Sequence, residues 1–511
     1  MRTCVLVIMF AVAFAACSPR QGRRGQPAER PEATLVRADG LVERGCYLCL
    51  GDALALYREL LRAGFRPALM RERVFRAATL MTVREREVGI VPEREGTEVA
   101  PIGPGTIATP GGAGTASYGE MAAAIPWSGS GFPAVDHVAA SGRLPAWRAQ
   151  LTPVADNGDP FAAYLLVALE CSYPSPSSPV RDFARYSIAQ PASLGLAFRA
   201  AICRPVNEQA LREVVDREPR FVEADFTLGQ MYARRGEAGE AERHYRRAIE
   251  LLPRLVAAPI ALGDLLADAE EFEAALDLYD RALAIVREHR QALLGRIRCL
   301  SNLERHEEAL GVCDTVIRLG EWYLGPAYYW RAWNLYALHD VAQAWIAIQT
   351  ARHYLQTADV FELAGVIAFD RQDFSETRTD MEEALRHNKD MCRPRFYLGR
   401  VQMETREWTG AAGWFAQGAT CYAEGAAATA RKMEEARRST LPEVRKARLL
   451  DRYQKQSAAG EHASALSAYH AAVSYANAGM TAWAIAQAER ALRDDQLRTL
   501  AAELLAKLRK H

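Results

Sequence analysis

Between residues 188 and 425 small and apolar side chains return at a fixed interval along the chain. The pattern is clearest at Leu228, Gly229, Tyr232, Ala241, Tyr245, Ala248 and Pro253. Ala241, Tyr245 and Ala248 are spaced as neighbours on one face of a helix. Pro253 ends that helix, because proline cannot continue one. Thirty-four residues on, the motif returns as Leu262, Gly263, Ala275, Tyr279 and Ala282. One step back it reads Leu194, Gly195, Phe198, Val214 and Pro219. Later steps give Ala309 with Ile297 in place of the glycine, then Ala332, Ala344 and Ala351, then Gly365 and Ala384, and finally Leu398, Gly399, Ala411 and Phe415. These positions predict seven consecutive helical hairpins. No single hairpin can bury its own apolar face, so stacking must supply the core. The small residues at 229 and 241 mark where the two helices of one hairpin cross closely, and Tyr245 and Ala248 are expected to pack on the next hairpin.

The Leu-Gly-aromatic helix followed by an Ala-x-x-x-aromatic-x-x-Ala helix and a proline resembles the tetratricopeptide repeat (TPR). The resemblance implies an all-α fold, a right-handed superhelical solenoid of TPR hairpins. The array is assigned to 160–425. Residues 34–89 read as a degenerate N-terminal repeat, in which Leu41 to Gly45 precede Ala53, Tyr57 and Leu60. Residues 90–159 hold Pro101 to Gly105 and Pro110 to Gly114, and they read as a long Gly/Pro-rich insertion, partly disordered and partly packed through Trp127 and Leu144 to Leu151. Residues 426–464 form a charged helical connection. Ala472, Tyr475, Ala484 and Ala491 fit a last hairpin within 465–511. Leu497, Leu500, Leu504, Leu505 and Leu508 then line one side of a capping C-terminal helix.

Composition narrows the function. The 511 residues carry 63 basic and 63 acidic side chains, so there is no basic excess of the kind a nucleic-acid binder needs. Residues 1–16 run from Arg2 through an apolar stretch too short to span a bilayer, and they read as a signal peptide. Phe14-Ala15-Ala16-Cys17 is similar to the lipobox of bacterial lipoproteins, which implies lipidation at Cys17 and a periplasmic-side, lipid-anchored body. Ser18 after that cysteine favours outer over inner membrane, by the same analogy. Residues 17–33, rich in proline, glycine and arginine, read as a flexible tether.

Removing Cys4 and Cys17 from the ten cysteines leaves eight. Disulfides suit an exported chain. On the TPR frame Cys392 opens helix A and Cys421 closes helix B of one antiparallel hairpin, so a disulfide is expected there. Cys171 and Cys203 end successive A helices and form a second candidate pair. Cys299 and Cys313 read as buried free thiols. Cys46 and Cys49 form a C-x-x-C, read as structural, either as a local disulfide or as a pairing with another segment; thiol-redox work and metal binding are its rivals, without a βαβ frame or a second ligand pair to support either. No nucleotide-binding, zinc-protease or EF-hand motif is present, and Asp136-His137 with Ser128 or Ser130 has no nucleophile elbow around it. No catalytic residue, cofactor or metal is expected.

The resemblance also places helix-A positions 2, 5, 9 and 12 on the concave face. That face would carry Asp264, Arg298, Tyr329, Trp333, Tyr336, Glu362, Phe369, Phe396 and Arg400. An aromatic strip flanked by both charges suits an extended peptide or an amphipathic helix. The expected function is a non-catalytic scaffold or adaptor that binds a protein partner in the bacterial envelope. Two alternatives stay open: the strip around Trp333 binds a carbohydrate or small ligand, or these aromatics are simply core.

Overall fold

The computed structural model describes residues 30–91, 121, 137–172, 184–203, 205–320, 323–439 and 443–509. The signal peptide, Cys17, and most of the tether and of the insertion lie outside the described residues, as do Trp127, Ser128, Ser130 and Asp136. The described residues are helical throughout, apart from one isolated bridge between Ile90 and Leu255. None of the described helices is long and apolar enough to cross a membrane. They fall into two compact units, one ending at Phe221 and the other running from Val222 to Arg509 together with residues 84–91.

In the first unit α1 (Pro31–Arg44) and α2 (Tyr47–Arg62) form a hairpin, followed by α3 (Pro67–Val88). Helix α1 begins inside the stretch assigned to the tether, because Pro31 can occupy the first turn of a helix without costing a hydrogen bond. The turn after it uses Gly45 at φ +63°, and a Cβ there would stand 2.7 Å from the backbone of Gly195, so two glycine backbones pass in contact. Helix α4 (His137–Asp156) occupies the last part of the expected insertion, and α5 (Pro160–Ser172) opens the stretch assigned to the array. Helix α4 contains Pro145 and Pro153. Leu144, Trp147, Leu151 and Ala155 recur at helical spacing and are all buried. They meet α5, in which every residue from Phe161 to Glu170 is buried, and that burial overrides the proline cost. Helices α6 (Ala184–Ala189), α7 (Leu194–Ile202) and α8 (Glu208–Arg217) complete the unit. The pair α7–α8 is the earliest of the seven predicted hairpins.

The second unit continues the series. Its hairpins are α9 (Val222–Arg234) with α10 (Ala238–Leu251), α11 (Ala257–Asp268) with α12 (Phe272–Ile285), and α13 (Arg290–Asn302) with α14 (His306–Leu319). Then come α15 (Leu324–Ala337) with α16 (Val341–Tyr354), α17 (Ala358–Asp370) with α18 (Phe374–His387), and α19 (Arg393–Glu404) with α20 (Trp408–Arg438). The repeat glycines admit the aromatic rings of their own hairpins: a Cβ on Gly229 would stand 2.7 Å from Tyr245, and one on Gly399 would stand 2.8 Å from Phe415. Tyr245 therefore packs within its own hairpin, and it also feels Asp264 of the next one. Gly263 meets Tyr279 in the same way, and the opposite side of that ring lies against Gly295. Gly295, not residue 297, is thus the small residue that α13 offers; the strict interval hid it by two positions.

Helix α20 runs on through the expected connection, and α21 (Glu443–Asn477) returns beside it. Helix α22 (Thr481–Ala491) pairs with the end of α21, and α23 (Arg498–Leu508) closes the chain. Leu505 is buried with Ala472 and Ala488, while Leu500, expected on the same face, is exposed.

Candidate partner-binding surface

Successive A helices of the second unit pack on one another, α11 on α13, α13 on α15, α15 on α17 and α17 on α19, whereas their B helices stand farther apart. Curvature of this kind puts the A helices on the concave side. The nine residues expected there divide into two groups.

Asp264 and Arg298 are already engaged. The Tyr279 hydroxyl donates to Asp264 Oδ1 at 2.6 Å and Gln291 donates to Oδ2 at 2.9 Å. Burial holds this carboxyl above its usual range, against those hydrogen bonds. Asp264 therefore ties helix B of its hairpin to the next helix A. Arg298 donates to Asp268 at 2.8 Å and to the Ala267 carbonyl at 3.2 Å.

The other seven lie on α15, α17 and α19. Tyr329, Trp333 and Tyr336 are half-buried and lean on the core formed by Ala332, Ala347, Ile348 and Leu363. The Tyr336 hydroxyl donates to Asp370 at 2.6 Å. Phe369 is buried, and the Arg400 guanidinium stacks on it at 4.2 Å. Tyr397 meets Phe369 edge-on at 5.3 Å and Phe396 at 6.0 Å. Phe396 also touches His470, a residue of α21, at 5.7 Å. Such aromatic contacts keep each ring in one orientation.

Glu362 is half-buried and makes no hydrogen bond or ion pair among the described residues. Burial raises its carboxyl above the usual range; Arg393 opposes the rise and Asp359 adds to it. The same pair of charges acts on Tyr329, whose hydroxyl burial pushes well up. Tyr422, on α20, is pushed up to about 12 by burial, and it too feels Arg393 and Glu362. Arg393, Tyr397, Tyr422 and His470 thus belong to this surface, although none of the four was among the nine expected residues. Tyr397 sits one residue from Phe396 on the same helix and was within reach of the pattern. Tyr422 and His470 stand on the two long helices, beyond the repeat frame, where no interval points to them.

The cysteines are paired as Cys46–Cys49, Cys171–Cys203 and Cys392–Cys421, with Cα atoms 4.9, 5.6 and 5.4 Å apart. Cys46 and Cys49 are fully buried, and Cys46 Sγ accepts the Cys49 N–H at 3.0 Å as the cap of α2. Cys299 and Cys313 are free and buried. No cluster of metal-binding side chains occurs among the described residues.

Several solved structures are similar in part. A tetratricopeptide repeat protein of Parabacteroides merdae is 16% identical over 58% of this chain and 98% of its own, with a TM-score of 0.36. The pilF protein of Pseudomonas aeruginosa is 18% identical over 38% of this chain and 89% of its own, at 0.35. Yeast Tom70 is 14% identical over 74% and 82%, also at 0.35. No curated protein matches the chain. Residues 208–255 and 260–321 match the family model of the tetratricopeptide repeat. Both stretches cover the α8–α14 hairpins described above, and this is a protein that contains tetratricopeptide repeats.

Proposed function

We propose that the protein is a non-catalytic scaffold of the bacterial cell envelope, anchored by a lipid on Cys17, which holds a protein partner along α15, α17 and α19. The observation that carries this reading is the concave aromatic row from Tyr329 to Arg400, with the unpaired charges of Glu362 and Arg393 beside it. Rigid rings supply contact area at little entropic cost, and half-buried charges select the partner's polar groups. The thiol-redox alternative is disfavoured, because both sulfurs of Cys46 and Cys49 are shut off from an attacking thiolate. A carbohydrate would also stack on such rings, but the charges of both signs favour a polypeptide.

The test is site-specific photo-crosslinking in cells. A crosslinker at Phe396 is expected to capture one envelope protein, and one at the exposed Ile346 on α16 is not. Phe396→Ala with Arg400→Ala should weaken that complex by about a thousandfold, since central aromatic and arginine contacts contribute about 2 kcal/mol or more each. Equal capture at both positions, or a complex indifferent to the substitutions, sinks the reading. Growth with labelled palmitate, comparing the native chain with Cys17→Ala, tests the anchor separately: label retained in the variant rules it out.

A further inference from the structure

The long helical arm makes a contact that a repeat array does not need. Helices α20 and α21 have 31 and 35 residues, against 14 for α16 or α18. About seventeen extra residues carry α20 some 25 Å past the length of an ordinary helix of the array. The two long helices seal against each other through small residues. A Cβ on Gly460 would stand 3.1 Å from that of Ala426, Ser457 donates to the Ala426 carbonyl at 3.4 Å, and Ser464 donates to that of Ala419 at 2.7 Å.

The far half of α21 then reaches back to the α9–α10 and α11–α12 hairpins. Arg445 donates to Glu242 at 2.7 Å and to Glu271 at 2.6 Å, across 203 and 174 residues of sequence. Arg452 donates to the Ala269 carbonyl at 3.2 Å, where α11 ends, and its guanidinium lies 5.5 Å from the centre of the Phe272 ring. Gln456 donates to Glu270 at 2.6 Å. Arg445, Glu242 and Glu271 keep only 23, 16 and 19% of their side-chain surface exposed, so solvent screens these pairs less than ordinary surface ones.

The chain is therefore strapped. Residues 242–272 and 445–456 touch, and the hairpins that carry Tyr329 to Arg400 lie between the two points in sequence. The strap differs in kind from the seam between α20 and α21. The seam is small-residue packing with two uncharged serine hydrogen bonds, whereas the strap is mostly charge-assisted hydrogen bonding with one stacked ring. Contacts of the second kind yield first to ionic strength or to a competing charge, and locally opening segments are drawn from such places.

We propose that the α20–α21 arm is a releasable clasp: its arginines on Glu242, Glu270 and Glu271 hold the intervening hairpins at one spacing, and release lets the concave face widen. Its role in access to that face rests on the function proposed above, but the clasp itself is testable without any partner. The full chain is compared with Glu242→Arg/Glu271→Arg, and with that variant carrying Arg445→Glu as well. Hydrogen exchange is read in residues 443–456, and the radius of gyration by small-angle scattering. The charge-reversed variant should exchange at least about tenfold faster in 443–456 and expand, with protection in α15–α19 retained. Adding Arg445→Glu should restore both slow exchange and compactness. In the unaltered chain, raising salt from about 50 mM to 1 M should also speed exchange in 443–456, as the Debye length falls. Unchanged exchange in 443–456 after charge reversal overturns the clasp. So does a loss of protection across the whole array, which would make the arm a structural pillar. A failure of the concave face to bind any partner would leave these readouts untouched and would bear only on the proposed function.

Discussion

At Gly229 even a single methyl group is too large. The ring of Tyr245 occupies the place where a side chain would begin, and a buried tyrosine cannot move aside cheaply. Gly229→Ala is expected to cost about 1–3 kcal/mol of unfolding free energy. Gly239→Ala, in the next helix with nothing within 4 Å, should instead stabilise by about 0.5–1 kcal/mol through the lost glycine entropy. Urea unfolding of both variants checks the pair; equal effects would mean that the ring contact does not matter. Asp380 poses a different problem. Its carboxyl is wholly buried, accepts no hydrogen bond, and lies 3.1 Å from the Arg352 guanidinium. Burial raises it to about 7, Arg352 opposes, and Glu376, Glu383 and Asp373 add to the rise. The folded chain then binds a proton that the unfolded chain has lost, from the ordinary aspartate range near pH 4 up to about 7. Stability from this group falls as pH rises through that window. Asp380→Asn should therefore lose less stability than the native chain between pH 5 and 8. A difference between the two proteins that is the same at both pH values would show the carboxylate to be charged in the fold.

The hairpin is the element at which sequence and structure agree most closely. Cys392 caps α19 and Cys421 lies in α20 where an ordinary helix B would end, so the antiparallel crossing brings them within a disulfide's reach. The bond closes a loop of sequence separation 29, and its removal through Cys392→Ser is expected to cost about 3–4 kcal/mol by loop entropy. Differential scanning calorimetry under oxidising conditions measures it; a midpoint unchanged by the substitution would show the hairpin to be held by packing alone. In helix α4 two internal prolines lower the intrinsic propensity. The packing expected at Leu144 to Leu151 is present, in the form of a helix whose Leu144, Trp147 and Leu151 are buried against α5.

Across the second unit the ends matter as much as the repeats. Helix α23 covers the alanines of the last hairpin through Ala501 and Leu505. Truncation after residue 497 would bare that surface and leave the array with an uncapped apolar end. The truncated chain is expected to lose thermal stability and to self-associate, with light scattering as the measure; a monodisperse monomer of native midpoint would show α23 to be dispensable. At the other end of the same unit, Val91 is held to the α10–α11 turn: its N–H donates to the Arg254 carbonyl at 3.3 Å, and Arg254 Nε donates back to its carbonyl at 3.1 Å.

The sequence by itself determined the helical hairpins and their number, because a fixed interval of small and aromatic residues reports contacts between neighbours that every hairpin repeats. It also pointed to the Cys392–Cys421 pair, since antiparallel helices of known length place their ends together. For the concave face it supplied the helix-A positions, but not which of them were spent inside the protein. Asp264 and Arg298 are consumed by ties to neighbouring residues, while Glu362 is not. That distinction depends on partners one hairpin away, set by the offset between helices and not by any interval. The arm is the larger case. Arg445 meets Glu242 across 203 residues, through two helices whose lengths break the repeat. Only the tertiary structure decides such a contact, because its partners share neither a periodic position nor a neighbouring element.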